Sequence, residues 1–204
     1  MKIIYLETKR KLKEAINIDT SKLPKELFLA YSIQYKSTAE ELKKQLSQKG
    51  IAIKGFKQVL GCTKLKSHYP ILLIGSGRFH ALNLAIQNKD VYIYNSSVVK
   101  IEGKELENLK KSKISAINRF LNSSTIGILI STKPGQENLK RAEQLKSIIA
   151  KKYPEKQVYL LISNTISLAE LENFNLDFFI NSACPGLLND SNKIANIDDI
   201  FEFL

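Results

Sequence analysis

Two cysteines and two histidines carry most of the reactive chemistry available to this chain of 204 residues. Cys62 lies in "QVLGCTK" and Cys184 in "INSACPG", and each follows a short apolar run. A thiolate is both a nucleophile and a soft metal ligand. Two cysteines are too few for a disulfide framework, so ligand, nucleophile and inert core residue all stay open. "GSGRFH" (75–80) adds Gly75 and Gly77, which let backbone approach a ligand closely, and Arg78, whose planar fork suits a carboxylate. Its last residue, His80, sits where the first turn of a helix should begin. "STKPGQ" (131–136) offers Lys133, Gly135 and Gln136, while Gln34 and "SN" (163–164) supply further polar groups.

Each of these has a plainer reading. "GSGRFH" lacks the P-loop lysine and the full dinucleotide spacing, so it could be no more than a glycine-rich turn. "KPGQ" could be an ordinary Pro-Gly turn, His80 a satisfied histidine, and Arg78 one half of an interdomain ion pair. His68, in "LKSHYP", has no reactive neighbours in sequence and reads as surface.

What groups these residues is the pattern of elements around them. Apolar runs predict strands at 2–6, 27–33, 51–56, 70–75, 91–95, 125–131, 157–163 and 177–182. Amphipathic stretches predict helices at 37–49, 104–121, 136–151 and 167–173. For the first helix, Ser37 or Thr38 would be the N-cap, Glu41 would complete a capping box, and Gly50 would be the stop. Alternating strands and helices with near-continuous apolar strands predict an α/β fold with two similar domains, each a small, mainly parallel sheet flanked by helices. A weak internal repeat, strand–polar turn–helix–strand, supports the duplication. The polar stretch "NSSVVKIEGKE" places the boundary so that the domains span 1–98 and 99–204. Gln34, Gly61–Cys62, 75–80, 131–136, 163–164 and 182–186 all follow strand ends, the edge where parallel α/β sheets bind ligands.

The formal net charge is +11, mostly lysine interleaved with glutamate in helical stretches. Such faces are solvated, so direct nucleic-acid binding is disfavoured, and attraction to an acidic or RNA-bound partner fits better. No apolar run reaches the ~20 residues that cross a bilayer, and the N-terminus turns charged too soon for a signal peptide. The expectation is a cytoplasmic protein with no membrane association.

Taken in order, "QVLGC" (58–62), "LLIGSGRFH" (72–80), "ILISTKPGQ" (128–136) and "DFFINSACPGLLND" (177–190) resemble the diphthamide synthase family, the 2-(3-amino-3-carboxypropyl)histidine synthases. The resemblance implies a triplicated α/β protein in which each domain gives one cysteine to a [4Fe-4S] cluster. It also implies cleavage of S-adenosylmethionine to a 3-amino-3-carboxypropyl radical that attacks a histidine of translation elongation factor 2. Cys62 and Cys184 match the family's second and third cysteines, and the chain would begin where the second domain begins. Two departures are Gly186, where the family usually has arginine after cysteine–proline, and Ser76, where aspartate is common.

These expectations follow from the resemblance. Cys62 and Cys184 hold the cluster, lie near one another and form no disulfide. Gly75, Gly77, Arg78, His80, Lys133, Gly135, Gln136 and Gln34 bind S-adenosylmethionine or stand close to it. A second chain supplies the missing cysteine-bearing domain; a homodimer lending its own cysteine is the less natural oligomer. The alternatives are a non-catalytic partner subunit of that enzyme and a basic RNA- or ribosome-associated α/β protein.

Overall fold

The computed structural model describes residues 18–88, 90–188 and 193–204, and the strand expected at 2–6 lies outside them. The chain splits into two compact units, Met1–Leu106 and Glu107–Leu204.

In the first unit the strands are β1 (Glu26–Tyr31), β2 (Ala52–Gln58), β3 (Ile71–Ile74), β4 (Val91–Asn95) and β5 (Ser97–Lys100), in the sheet order β2-β1-β3-β4-β5. The first four run parallel, and β5 pairs antiparallel with β4. The residues that form β5 looked like polar connection in the sequence. They become a strand because Ser96 adopts a left-handed φ of 72°, which turns the chain straight back along β4. Side-chain alternation covers both faces of the sheet. Leu29, Tyr31, Leu72, Ile74, Tyr92 and Tyr94 pack with Ala39, Leu42 and Leu46 of helix α1 (Lys36–Gln48). Ala30, Ile71, Leu73, Val91 and Ile93 pack with Ala81, Leu84 and Ala85 of helix α2 (Arg78–Gln87). That two-sided burial is why the strands read as continuous apolar runs.

Helix α1 corrects one expectation. The chain enters it through a 3-10 turn at Ile33–Tyr35, so Ser37 and Thr38 already lie inside the helix and neither caps it. Glu41 accepts instead from Gln45 one turn on, at 3.1 Å. The stop at Gly50 is as expected. Gly50, with φ 79°, donates to Ser47, and Ile51 donates to Leu46, the paired bonds of a Schellman motif.

The second unit repeats the plan. Its strands are β6 (Thr125–Ser131), β7 (Gln157–Ser163), β8 (Phe178–Asn181) and β9 (Ile194–Asn196), all parallel, in the order β7-β6-β8-β9. The order second-first-third-fourth is the one that β2-β1-β3-β4 follow. Ile126, Ile128, Ile130, Phe178 and Ile180 form one core face with Phe120 of α3 (Lys104–Asn122), with Ala142, Leu145 and Ile149 of α4 (Leu139–Lys152), and with Ile197 and Ile200 of α6 (Ile197–Phe203). The opposite face carries a smaller cluster of Leu129, Phe179 and Ile194 with Leu171 of α5 (Leu168–Leu171). The helix expected at 167–173 is thus a single helical turn, Leu168–Leu171, and the segment continues as a turn rather than as helix. No described helix is long and apolar enough to cross a membrane.

Candidate functional site

Parallel strands bring their carboxyl ends to one edge, and the in-register pairs fix which loops meet there. In the first unit Tyr31 pairs with both Gln58 and Ile74, so the loops after β1, β2 and β3 emerge side by side. Gln34, Gly61–Cys62 and Gly75–His80 therefore share an edge. In the second unit Ser131 pairs with Ser163, and Leu129 with Asn181, which gathers Lys133, Gly135, Gln136 and Cys184 on the matching edge. In each unit the chain reverses direction across the sheet at its first strand, and the crevice beside that strand is where open α/β sheets bind ligands.

Both cysteines are free and exposed, which removes the reading of either as a buried core residue. Cys62 rides on a short turn. Leu60 donates its amide to the Thr63 hydroxyl at 2.7 Å, and the Thr63 amide returns a bond to the Leu60 carbonyl at 3.0 Å. Gly61 presses against α2: a Cβ added there would lie 2.7 Å from the Phe79 ring. Side-chain hydrogen bonds from α2 and from its C-cap Asn88 then hold the loop. Asn83 donates to the Gly61 carbonyl at 2.9 Å. Gln87 accepts from the Leu65 amide at 3.2 Å. Asn88 donates to the Leu65 carbonyl at 2.7 Å and accepts from the Ser67 amide at 2.8 Å.

The glycine-rich loop is shaped by its neighbours. The space left by the absent Gly77 side chain is taken by the His80 ring, whose Nδ1 would lie 2.4 Å from a Cβ at that position. Beside Gly75 stands the Ser32 hydroxyl, 3.1 Å from where a Cβ would be. Burial pushes the His80 pKa below the ordinary histidine value, so the ring is held toward its neutral form. Arg78 is exposed and paired with Glu105, its Nε donating at 3.0 and 2.7 Å to the two carboxylate oxygens. Its Nη2 lies on the same carboxylate, and both side chains of the pair face solvent. His68 is exposed, as read.

Cys184 is presented by a different scaffold. Asn181, 1% exposed at the end of β8, donates to the Cys184 carbonyl at 3.0 Å, and its own oxygen accepts from the Ala183 amide at 3.0 Å. Ser182 donates its hydroxyl to the Leu129 carbonyl at 2.7 Å, while Asn138 donates to the Ser182 carbonyl at 2.6 Å. Next to β6, Lys133–Gln136 forms a turn closed by the Gln136 amide on the Lys133 carbonyl at 3.0 Å. Gly135 takes φ 77° in the third position after Pro134, the arrangement of a type II turn. Lys133 is exposed and Gln136 half-buried.

Sequence reasoning missed Asn83, Gln87, Asn88, Asn138 and Asn181. For Asn181 a signal was present, because asparagine at a strand end caps the turn that follows. For the other four none was, since their partners lie far away in the chain. Among the described residues no group of three or more His, Cys, Asp or Glu is placed to hold a metal.

The family model for diphthamide synthesis proteins matches residues 1–193. The 2-(3-amino-3-carboxypropyl)histidine synthase of Methanocaldococcus jannaschii is 29% identical over 81% of this chain and 46% of its own length. That of Pyrococcus horikoshii is 26% identical over 85% of this chain and 54% of its own. A relative in Encephalitozoon cuniculi, 26% identical over 80% of this chain and 50% of its own, is named subunit 1 of the synthase. The fold matches that of Dph2 from P. horikoshii, solved with a 4Fe-4S cluster, with a TM-score of 0.76 and 24% identity over 88% of this chain and 57% of that one. The chain spans about half the length of the relatives it matches.

Proposed function

The chain belongs to the diphthamide synthesis protein family, and on that premise we propose that it is the two-cysteine part of a 2-(3-amino-3-carboxypropyl)histidine synthase. The carrying observation is that its only two cysteines are both exposed and both emerge at the carboxyl edge of a parallel sheet, one per unit. Soft, accessible thiolates are the donors an iron–sulfur cluster takes. By donor type Cys62 and Cys184 fit as two of its ligands, and the third thiolate comes from outside these 204 residues.

When bound, such a cluster supplies the electron and the open coordination position for cleaving S-adenosylmethionine. The chain's own groups do the rest. The hydrogen-bonded turns hold the two thiolates in place. Gly75, Gly77 and His80 with Gln34 on one edge, and Lys133, Gly135 and Gln136 on the other, contact the substrate. Neutral His80 presents a donor and an acceptor without adding positive charge near a sulfonium. Arg78 works in the pair with Glu105 instead of receiving the substrate carboxylate. The acceptor is a histidine of translation elongation factor 2, and the site of action is the cytoplasm. Relatives named as subunit 1 support a working complex with another polypeptide, which in our reading carries the third cysteine.

The test is anaerobic iron and sulfide content. Mixed with a fragment bearing the third cysteine, the chain takes up iron and sulfide with the brown absorbance of a cluster, and Cys62→Ala or Cys184→Ala loses it. S-adenosylmethionine binding by the loaded complex weakens in Gly77→Val and Gln136→Ala. Iron content unchanged in both cysteine variants overturns the assignment. RNA binding with no iron under any of these conditions would favour a basic RNA-associated protein.

A further inference from the structure

Helix α2 begins at Arg78, directly after the glycine-rich loop, and its amide side chains all reach the same place. Asn83 and Gln87 lie one turn apart on α2 and Asn88 is its C-cap, so the three side chains cluster at the C-terminal end of the helix. Their partners are Gly61, Thr63, Leu65 and Ser67, four alternate residues of the loop that carries Cys62. Together they satisfy both donors and acceptors of a connection with no regular structure of its own. Gln87 and Asn88 are also tied back to the helix, by bonds to the Asn83 carbonyl at 3.0 Å and the Leu84 carbonyl at 2.9 Å. Those second bonds restrict the rotamers, so the amides are held ready for the loop.

We propose that Asn83, Gln87 and Asn88 are positioning residues for Cys62: the thiol is aimed by the helix that starts at the glycine-rich loop, not by the strand that precedes it. This rests on the assignment of Cys62 as a thiolate ligand. The strand end is anchored at Val59, 1% exposed and with its amide on the Tyr31 carbonyl at 2.8 Å, but Leu60 beyond it is 58% exposed, so apolar packing stops short of the Gly61–Cys62 turn. The amides and the Gly61–Phe79 contact do it instead. A ligand that is held by three thiolates tolerates little drift in any one of them, because preorganised donors keep the group bound.

The test labels Cys62 with a nitroxide in a Cys184→Ser background of the full chain. Removing the clamp in Asn83→Leu or Asn88→Leu speeds motion of the label about twofold or more, as expected when local hydrogen bonds open. Gln45→Leu, which removes a helix-surface bond elsewhere, leaves the line shape unchanged. Asn88→Asp keeps the acceptor for Ser67 but not the donor for Leu65, and gives an intermediate spectrum; it also serves if the leucine variants fold poorly. In parallel, iron and sulfide are loaded onto the unlabelled chain mixed with the fragment bearing the third cysteine, and loss to a chelator is timed. The clamp variants lose iron about tenfold faster, the effect of roughly one strong hydrogen bond.

An unchanged label spectrum in the leucine variants overturns the proposal whatever the iron result. So does equal mobilisation of a label on Cys184 in a Cys62→Ser background, which would mean general loosening. Failure of the parent chain to take up any iron sinks the cluster assignment instead, and the label still decides the clamp.

Discussion

Asn181 donates from its side-chain amide to the carbonyl oxygen of Cys184, 3.0 Å away, while accepting from the amide of Ala183. One buried asparagine thereby closes the turn that exposes the second thiol. It also meets the Asn196 oxygen at 3.1 Å, which ties that turn to β9. Asn181→Leu strands the Ala183 amide and the Cys184 carbonyl together. The expected loss is about 2–3 kcal/mol, measured as a drop in the urea midpoint, since orphaned buried polar groups cost more than the bond itself contributed. A variant within error of the parent would show that water takes over both groups.

Gly77 is required by packing and not by backbone conformation, because its φ of −84° is open to any residue. A methyl group there would meet the His80 ring, so Gly77→Ala must push the imidazole out. The expected reading is a shifted His80 ring resonance and a pKa moved back toward the ordinary histidine value, followed by NMR titration. An unmoved titration would mean the ring keeps its buried place beside an alanine.

Acid sensitivity has an identifiable source in the second unit. Asp177 accepts from the Thr125 amide at 2.8 Å, the Thr125 hydroxyl at 2.9 Å and the Ser124 amide at 2.9 Å. These bonds, that from the Thr125 amide foremost, hold its pKa below the ordinary 3.8. With the folded value lower than the unfolded one, the stabilisation is complete above about pH 4 and is lost as pH falls through the folded value. Asp177→Asn flattens the dependence of the thermal midpoint on pH below 4. A slope equal to that of the parent would assign the acid response to other carboxylates.

Lys156 is a buried lysine with a structural task. Its Nζ donates to the Leu121 carbonyl at 2.8 Å and the Ser123 carbonyl at 2.5 Å, and it lies 5.6 Å from the ring centres of Phe120 and Tyr153. The cation thus closes the C-terminus of α3, where carbonyls are left without helical partners. Lys156→Met keeps the stem but drops the bonds, and the expected cost is about 1–3 kcal/mol in chemical unfolding. Lys156→Arg restoring most of that loss would confirm that charge and bonds matter more than length.

The apolar strands, their alternation with helices and the polar residues at their carboxyl ends were legible in the sequence, because each is local. A strand buried on two faces must be apolar throughout, and the turn that follows must carry glycine or hydrogen-bonding side chains. Cys62, Gly75–His80, Lys133–Gln136 and Cys184 could therefore be picked out as edge residues before any register was known. The tertiary structure decided which neighbours each of them meets. Whether Arg78 meets a ligand or Glu105 depends on where α3 begins in space, and spacing in the chain does not encode that. Ser37 and Thr38 have cap-forming side chains, yet the helix starts ahead of them because a 3-10 turn leads into it. Ser97–Lys100 became a strand because Ser96 turns the chain back along the free edge of β4. Asn83, Gln87 and Asn88 look like ordinary polar helix residues until α2 docks on its sheet and brings them against the Cys62 loop, more than twenty residues upstream. A side chain's type and period are set by its neighbours in sequence; its partner is set by which surfaces the folded core brings together.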